Sequence, residues 1–435
     1  MSEYLKQKIN KWKNRNKQQI HLPENKETFS RKLDLFLLFT VTLLTVILIL
    51  ATMAGRSGSD TDTVYAKKEL ILPQNYMDLL GTETATKLLA DYREKNPDIR
   101  IELSAAAGEK KNEPDLLFFY DYELSSLLYS ETTGTKNKTM EPAVPLVSFM
   151  NMLFYNIKLL DAAGFNRPPK TRAEFLTWAK AIDAGGKASG SALGLNSSDR
   201  EAVSRDIFSW IWAAGGSLWP QTESHQKQKP ALNTKNTADI ISFLGTLNSD
   251  NLLAYGTFIK TGMQRLDEFA QGKIAMIIAS TRDIPQLREK MGDGAFGITS
   301  VPGAAQQGKN GVKLSHIYAG ISASCENPDE ARSFLTFLTE QSYVISEGFK
   351  AVPGAVSGSS SSYSLKDYII RDPDFFKAWD IFEASEIITG LSGIPNAEEY
   401  ENVFREELES YFLQKKNTQD TVAAIQNRWA AIPEY

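Results

Sequence analysis

The chain carries few residues able to do chemistry. Among 435 residues there are three histidines, His21, His225 and His316, and a single cysteine, Cys325. A structural zinc site takes four Cys or His ligands, so a Cys/His metal centre is out of reach. One cysteine allows no internal disulfide. A Ser-His-Asp triad would have to use His225 or His316, and neither sits in a recognisable motif. There is no phosphate loop, no HExxH and no dinucleotide fingerprint. A glycosidase-like carboxylate pair needs two acids about 5–9.5 Å apart around a sugar. Acids are plentiful, but no motif singles out a pair. No catalytic residue, metal or cofactor is expected.

Binding chemistry is better represented. Tyr120, Asp121 and Tyr122 follow the buried-type run Pro114-Asp115-Leu-Leu-Phe-Phe. In open α/β sheets ligands sit beyond the carboxyl ends of strands. Two readings stand for Asp121: a cleft residue, or the cap of a helix at 124–128. Arg282 follows a second such run, and its guanidinium can pair a carboxylate or phosphate in bidentate fashion or form an internal salt bridge. Trp212 and Trp219 lie in an aromatic-rich stretch, Tyr318 in the run IYAGISAS, and Tyr400 near the C-terminus.

The elements that would position these groups read as α/β. Glu69-Leu-Ile-Leu is a strand; Ala85, Leu88, Leu89 and Tyr92 repeat at helical spacing until Asn96-Pro97; Ile99, Ile101 and Leu103 alternate as a second strand. Strand, helix, strand predicts a βαβ unit and a parallel sheet. Residues 144–156 form another apolar strand. Thr171 and Glu174 make a capping box, with Phe175, Trp178, Ala179 and Ile182 on the buried face. A helix is expected over 207–214 and another over 237–248. FAQGKIAMII runs from a helix end into a buried strand, and a strand is expected over 317–324. Asn327-Pro328-Asp329-Glu330 starts a helix. Phe404, Leu408 and Tyr411 share one helical face, and Val422, Ile425 and Trp429 another.

Leu35 to Gly55 is twenty-one residues without a charge. At ~1.5 Å per residue it matches the ~30 Å hydrocarbon core of a bilayer. Residues 1–32 hold nine Lys or Arg against three acids, a net +6, and the whole chain is −5, which leaves −11 for the rest. The positive-inside rule then predicts a single-pass protein with a cytoplasmic N-terminus and an extracytoplasmic C-terminal part. The acidic exterior argues against nucleic acid as a partner. The expected organisation is a basic tail (1–32), a transmembrane helix (33–55), a linker (56–66) and about 370 further residues, enough for two lobes.

Residues 67–435 resemble the extracellular solute-binding proteins of bacterial ABC importers, the family that includes maltose- and other sugar-binding proteins. The resemblance rests on LLADYREKNPDIRIEL, PDLLFF, MLFYNIKLLDAAGFNRPPKTRAEFLTWAKAI, FAQGKIAMII, Val301-Pro302 and AGISASCENPDEARSFLTFL, in the family's order. It implies a two-lobed, periplasmic-binding-protein-like α/β fold with lobe I at 67–147 and 317–356 and lobe II at 148–316 and 357–435. The run Ser357 to Ser362 would fall at a hinge crossing. It also implies a bacterial cytoplasmic (inner) membrane location, an ABC permease as partner, and a small solute, a sugar or acidic metabolite, held in the cleft by Tyr120, Asp121, Trp212, Trp219, Arg282, Tyr318 and Tyr400. The segments around the third strand are shorter than in the family, and Arg282 stands near a place where an aromatic often stacks on sugar. A non-transport scaffold or sensory module with a degraded cleft is the alternative.

Overall fold

The chain divides into residues Met1–Ala66 and Lys67–Tyr435. The computed structural model describes residues 68–80, 82–104, 113–128, 143–219, 229–232, 234–303, 310–340, 373–388 and 390–433. The apolar run 35–55 and the serine run 357–362 lie outside these residues. Among the described residues no helix is long and apolar enough to cross a membrane.

Strands β1 (Lys68–Leu72) and β2 (Ile99–Leu103) pair in parallel. The helices Asn75–Leu80 and Thr82–Lys95 connect them. Leu70, Leu72, Leu88, Tyr92 and Ile101 are buried, as the alternation and the helical spacing require. The second helix stops where the Asn96 side-chain amide donates to the Tyr92 carbonyl at 3.0 Å, just ahead of Pro97. Strand β3 (Leu116–Tyr120) lies beside β1, anchored by the Asp115 carboxylate, which accepts from the Ile71 N–H at 2.7 Å.

The larger sheet holds β4 (Val144–Asn156), β5 (Ser189–Ser191), β6 (Ile274–Ser280), β7 (Phe296–Thr299), β8 (Gly311–Ile321) and β9 (Glu386–Ile388), with β3 at one edge. It is mixed rather than parallel. β5–β6 and β8–β9 run parallel, but β3–β8, β4–β8, β4–β6 and β4–β7 are antiparallel. The cause is β8. It returns from late in the chain and inserts between β3 and β4, which no local βαβ pattern can foretell.

Three buried clusters divide the molecule. One joins Leu70, Tyr76, Tyr92, Phe118 and Phe334. The other two lie on opposite faces of β4 and β6: Leu153, Met276 and Ile278 face one way with Trp178, Trp210 and Trp429, whereas Phe154 and Ile277 face the other with Phe296 and Phe375. This is a sheet with helices on both faces. The long strands β4 and β8 pass between the cores. Val147 and Phe149 belong to the first cluster and Met150 and Met152 to another. Ile317 and Ala319 belong to the first and Val312 to another. Two lobes are therefore joined by two antiparallel strands side by side. At the crossing Ser148 is paired with His316, Oγ to Nδ1 at 2.9 Å. Burial pushes the His316 imidazole below its usual value, so it stays neutral at pH 7.

Candidate functional site

Each lobe ends a strand in a tight 3₁₀ turn, and the two turns approach each other. In the first, Tyr120 closes β3 and its N–H donates to the Glu123 carboxylate at 2.8 Å. That bond winds Asp121–Glu123 into a turn and leads on to the short helix Leu124–Leu128. Glu123, not Asp121, therefore caps this segment. In the second, β6 closes on Ser280. The Asp283 carboxylate accepts from the Ser280 N–H at 2.9 Å, and the Ser280 hydroxyl accepts from the Arg282 N–H at 3.3 Å. The Thr281 hydroxyl accepts from the Met150 N–H at 3.2 Å, which fixes the turn to β4. Sequence SxxD thus aims Arg282 across the seam.

Arg282 spans the lobes. Its guanidinium lies 4.8 Å from the Tyr120 ring centroid and 5.0 Å from that of Phe149. Its Nη2 bonds the Glu201 carboxylate at 2.5 Å. Burial alone would lower the Arg282 pKa, but Glu201 and Asp283 hold it above its usual value and fully charged. Burial likewise raises Glu201, and Arg282 pulls it back. Tyr120 stacks on Tyr122 at 5.2 Å.

Asp121 is engaged inside the protein. It is 4% exposed, and its carboxylate bonds Lys313 Nζ, 8% exposed, at 2.5 Å. The Ser392 hydroxyl donates to the same oxygen at 3.0 Å. A second bond from lobe to lobe runs from the Ser125 hydroxyl to the Ile394 carbonyl. The loop 390–396 is thereby fastened to the turn after β3.

The structure brings Tyr120, Asp121 and Arg282 together and places the other four expected residues elsewhere. Trp212 is 1% exposed and tilts against Phe208 at 5.8 Å in a lobe core. Only a small gap lined by Asn151 and Lys313 separates it from the seam. Trp219 packs on the same core, with its indole N–H buried. Tyr318 stacks on Phe119 at 5.8 Å and meets the His316 ring at 5.4 Å. Tyr400 is 3% exposed and sits edge-on to Trp429 at 5.3 Å. The rings of Trp212 and Tyr400 are turned away from the cleft because each lies on the apolar stripe of its helix, where burial of a large side chain gains about 2–3 kcal/mol.

Other side chains line the cleft. Tyr122, Asn151, Arg200, Glu201, Ser280 and Arg282 wall a depression of about 320 Å³, at the lower end of the roughly 300–1,000 Å³ range of small-molecule sites. An adjoining cavity holds Tyr122, Arg200, Ser392, Glu401 and Asn402. The first depression also takes in Arg205, which the π-turn Ser204–Phe208 carries. Arg205 bonds both Asp199 and Asp206 at 3.0 Å. π-turns concentrate at functional sites. Glu401 follows Tyr400 on the helix Ala397–Phe412; a rotation of about 100° per residue turns one to the cavity and the other to the core. The spacing of Tyr400, Phe404 and Leu408 was the signal that would have separated them. Glu201 and Lys313 carry no comparable signal in the sequence.

The fold has counterparts in other proteins. Among solved structures, an ABC transporter solute-binding protein from Thermotoga lettingae bound with alpha-D-tagatose aligns with TM-score 0.65 at 18% identity, covering 84% of this chain and 99% of that one. The maltose-bound MalE3 of T. maritima aligns at 0.62 and 16% identity, covering 84% and 100%. UgpB from Mycobacterium tuberculosis, in complex with glycerophosphocholine, aligns at 0.63 and 17%, covering 86% and 98%. At such identities the likeness establishes the fold. A curated relative from Deinococcus radiodurans, described as a probable ABC transporter-binding protein, is 25% identical over 255 residues. The chain spans about half, 56%, of that relative's length. Residues 80–344 match the family described as bacterial extracellular solute-binding protein. With more than half of its length matched, the chain belongs to the bacterial extracellular solute-binding protein family.

Proposed function

We propose that this chain captures a small polyhydroxylated solute, a carbohydrate, between its lobes and delivers it to an ABC permease, doing no chemistry itself. The observation that carries the reading is the facing pair of strand-end turns, with Tyr122 as an aromatic wall over a cleft rich in hydrogen-bonding groups. Pyranose rings offer an apolar face to stack and hydroxyls at the rim, which this mixture suits. Tagatose and maltose in two structural neighbours support the class. Engagement of Arg282 by Glu201 removes the ground for an acidic solute.

In this reading residues 33–55 anchor the protein in the bacterial cytoplasmic membrane, with residues 67–435 on the outer side. The lobes divide near 147/148, 316/317 and 356/357. Solute closes the lobes because it binds the closed arrangement better than the open one.

The second reading, a non-transport scaffold, draws on one observation. Asp121 pairs with Lys313 across the seam, and Glu201 engages Arg282 within one lobe, so the charged groups of the cleft satisfy one another. A thermal-shift screen of sugars against the full-length chain separates the two. A melting temperature that climbs with sugar concentration, by the equivalent of about 2.7 kcal/mol at one hundred times Kd, supports capture. A folded protein that responds to no sugar supports the scaffold.

A further inference from the structure

Accepting that the cleft captures a solute, we infer that the solute is an extended one, a disaccharide or longer chain that straddles Tyr122, with one unit on each side of that ring. The cleft has two halves. The depression of about 320 Å³ described above lies on one side, between Tyr122 and the end of β6. A second, of about 350 Å³, lies on the other, between Tyr122, Ser125 and Ser126 of the turn after β3 and residues 395–399. Each half by itself reaches the roughly 300–1,000 Å³ range of small-molecule sites, so the pair has room for two small units rather than one.

Tyr122 and Arg200 line both halves and also the small cavity between them. That cavity shares Asp199 with the first half and Glu398 and Asn402 with the second, so it is the waist of one continuous groove. Its volume is about 30 Å³, about the share of a single water in the liquid. A sugar ring does not fit there, but one bridging glycosidic oxygen does. The waist is held from both lobes. One face of the Tyr122 ring is covered by Tyr120, at 5.2 Å and 17° between planes, which leaves the other face for a solute. Tyr120 is in turn fixed by the Arg282 guanidinium at 4.8 Å. Arg200, from the other lobe, pairs with Glu398 at 2.6 Å.

The chemistry on the two sides matches. Asn151 lines the first half and Asn402 the second. Among the described residues neither side-chain amide is spent on a protein partner, and an amide both donates to and accepts from hydroxyls. The arginines along the groove are neutralised within the protein, Arg282 by Glu201, Arg205 by Asp199 and Asp206, and Arg200 by Glu398. The groove therefore offers two hydrogen-bonding halves about one aromatic face, which suits a neutral polyol that repeats. A single ring would leave one half to water. A second unit, tethered to the first, adds its contacts without the full cost of a separate binding event.

The test is isothermal titration of the full-length chain with three series of growing length: glucose, maltose and maltotriose; glucose, cellobiose and cellotriose; mannose, mannobiose and mannotriose. In a series that binds, the disaccharide is expected to bind once per chain and at least about tenfold tighter than its monosaccharide. Asn151→Ala and Asn402→Ala, on opposite sides of Tyr122, should each weaken that disaccharide by about three- to tenfold. A solute confined to one half would lose affinity in only one of them. Should either variant fail to fold, the length comparison on the unmodified chain decides alone. A disaccharide less than about tenfold tighter than its monosaccharide, two monosaccharides bound per chain, or a loss in fewer than both variants overturns the extended assignment and leaves solute capture standing. Silence from every sugar overturns carbohydrate capture and the extended assignment with it.

Discussion

Removing the Asp121 carboxylate would strand the Lys313 ammonium in a nearly dry seam. Its Nζ is held at 2.5 Å by Asp121, and both side chains are under one-tenth exposed. Asp121→Ala should therefore cost about 3–5 kcal/mol in urea unfolding. The joint replacement Asp121→Leu with Lys313→Met should cost far less, since it leaves no charge behind. Equal losses in the single and double variants would show that the pair is not the unit. Glu401 makes the opposite prediction about pH. Its folded pKa is raised above the unfolded value, so its contribution to stability is full below about pH 4.5 and is lost as pH rises toward 8. Glu401→Gln should flatten that decline and be the more stable form at pH 8.5, by on the order of 2 kcal/mol once partial solvent access is allowed for. Parallel curves for the two proteins between pH 5 and 8.5 would refute this.

At the scale of the element, close approach matters more than charge. A Cβ on Gly190, in β5, would stand 2.5 Å from the Ala179 carbonyl and 2.6 Å from its Cα, in the helix Arg172–Ala184. Those are backbone atoms and cannot swing aside. Gly190→Ala should lower stability by about 1–3 kcal/mol by prising this helix off the sheet; an unchanged melting temperature would show the contact is slack. The same helix was legible beforehand. The Thr171 hydroxyl accepts from the Glu174 N–H at 3.2 Å, and Phe175, Trp178, Ala179 and Ile182 are buried. The Glu174 carboxylate departs from a strict capping box: it accepts from the Lys170 N–H and pairs with Arg167, which holds its pKa down to about 2. Local signals of this kind, caps and apolar periods, located the helices and most strands. What escaped was tertiary. Strand β8 starts at Gly311, six residues before the apolar run suggests, because Lys313, buried, and His316, half-buried, are polar groups whose partners lie far away in sequence. Arg282 was visible as a turn residue, but Glu201, eighty-one positions earlier, was not visible as its partner.

At the scale of the whole molecule, β4 and β8 leave the lobes free to hinge about paired strands, while side chains decide how far they close. Two hydrogen bonds carry much of that decision, Ser392 to Asp121 and Ser125 to Ile394, both outside the crossing strands. Each contributes about 0.5–1.5 kcal/mol net. Their joint removal, Ser125→Ala with Ser392→Ala, should shift the open–closed balance by about 1–3 kcal/mol toward open, a factor of roughly 5 to 150 in the equilibrium. Neither serine lies in a lobe core, so global stability should change little. X-ray scattering of the unliganded variant should then give a larger radius of gyration than the parent. A saturating solute should restore the compact value in both, at a higher concentration in the variant, because part of its binding energy goes into closure. The two readings of the cleft diverge here. A transport protein must open and close, so its scattering must respond to the serine pair and to solute. A scaffold held by Asp121–Lys313 would keep one radius of gyration in every condition, and that result would move the assignment from capture to display.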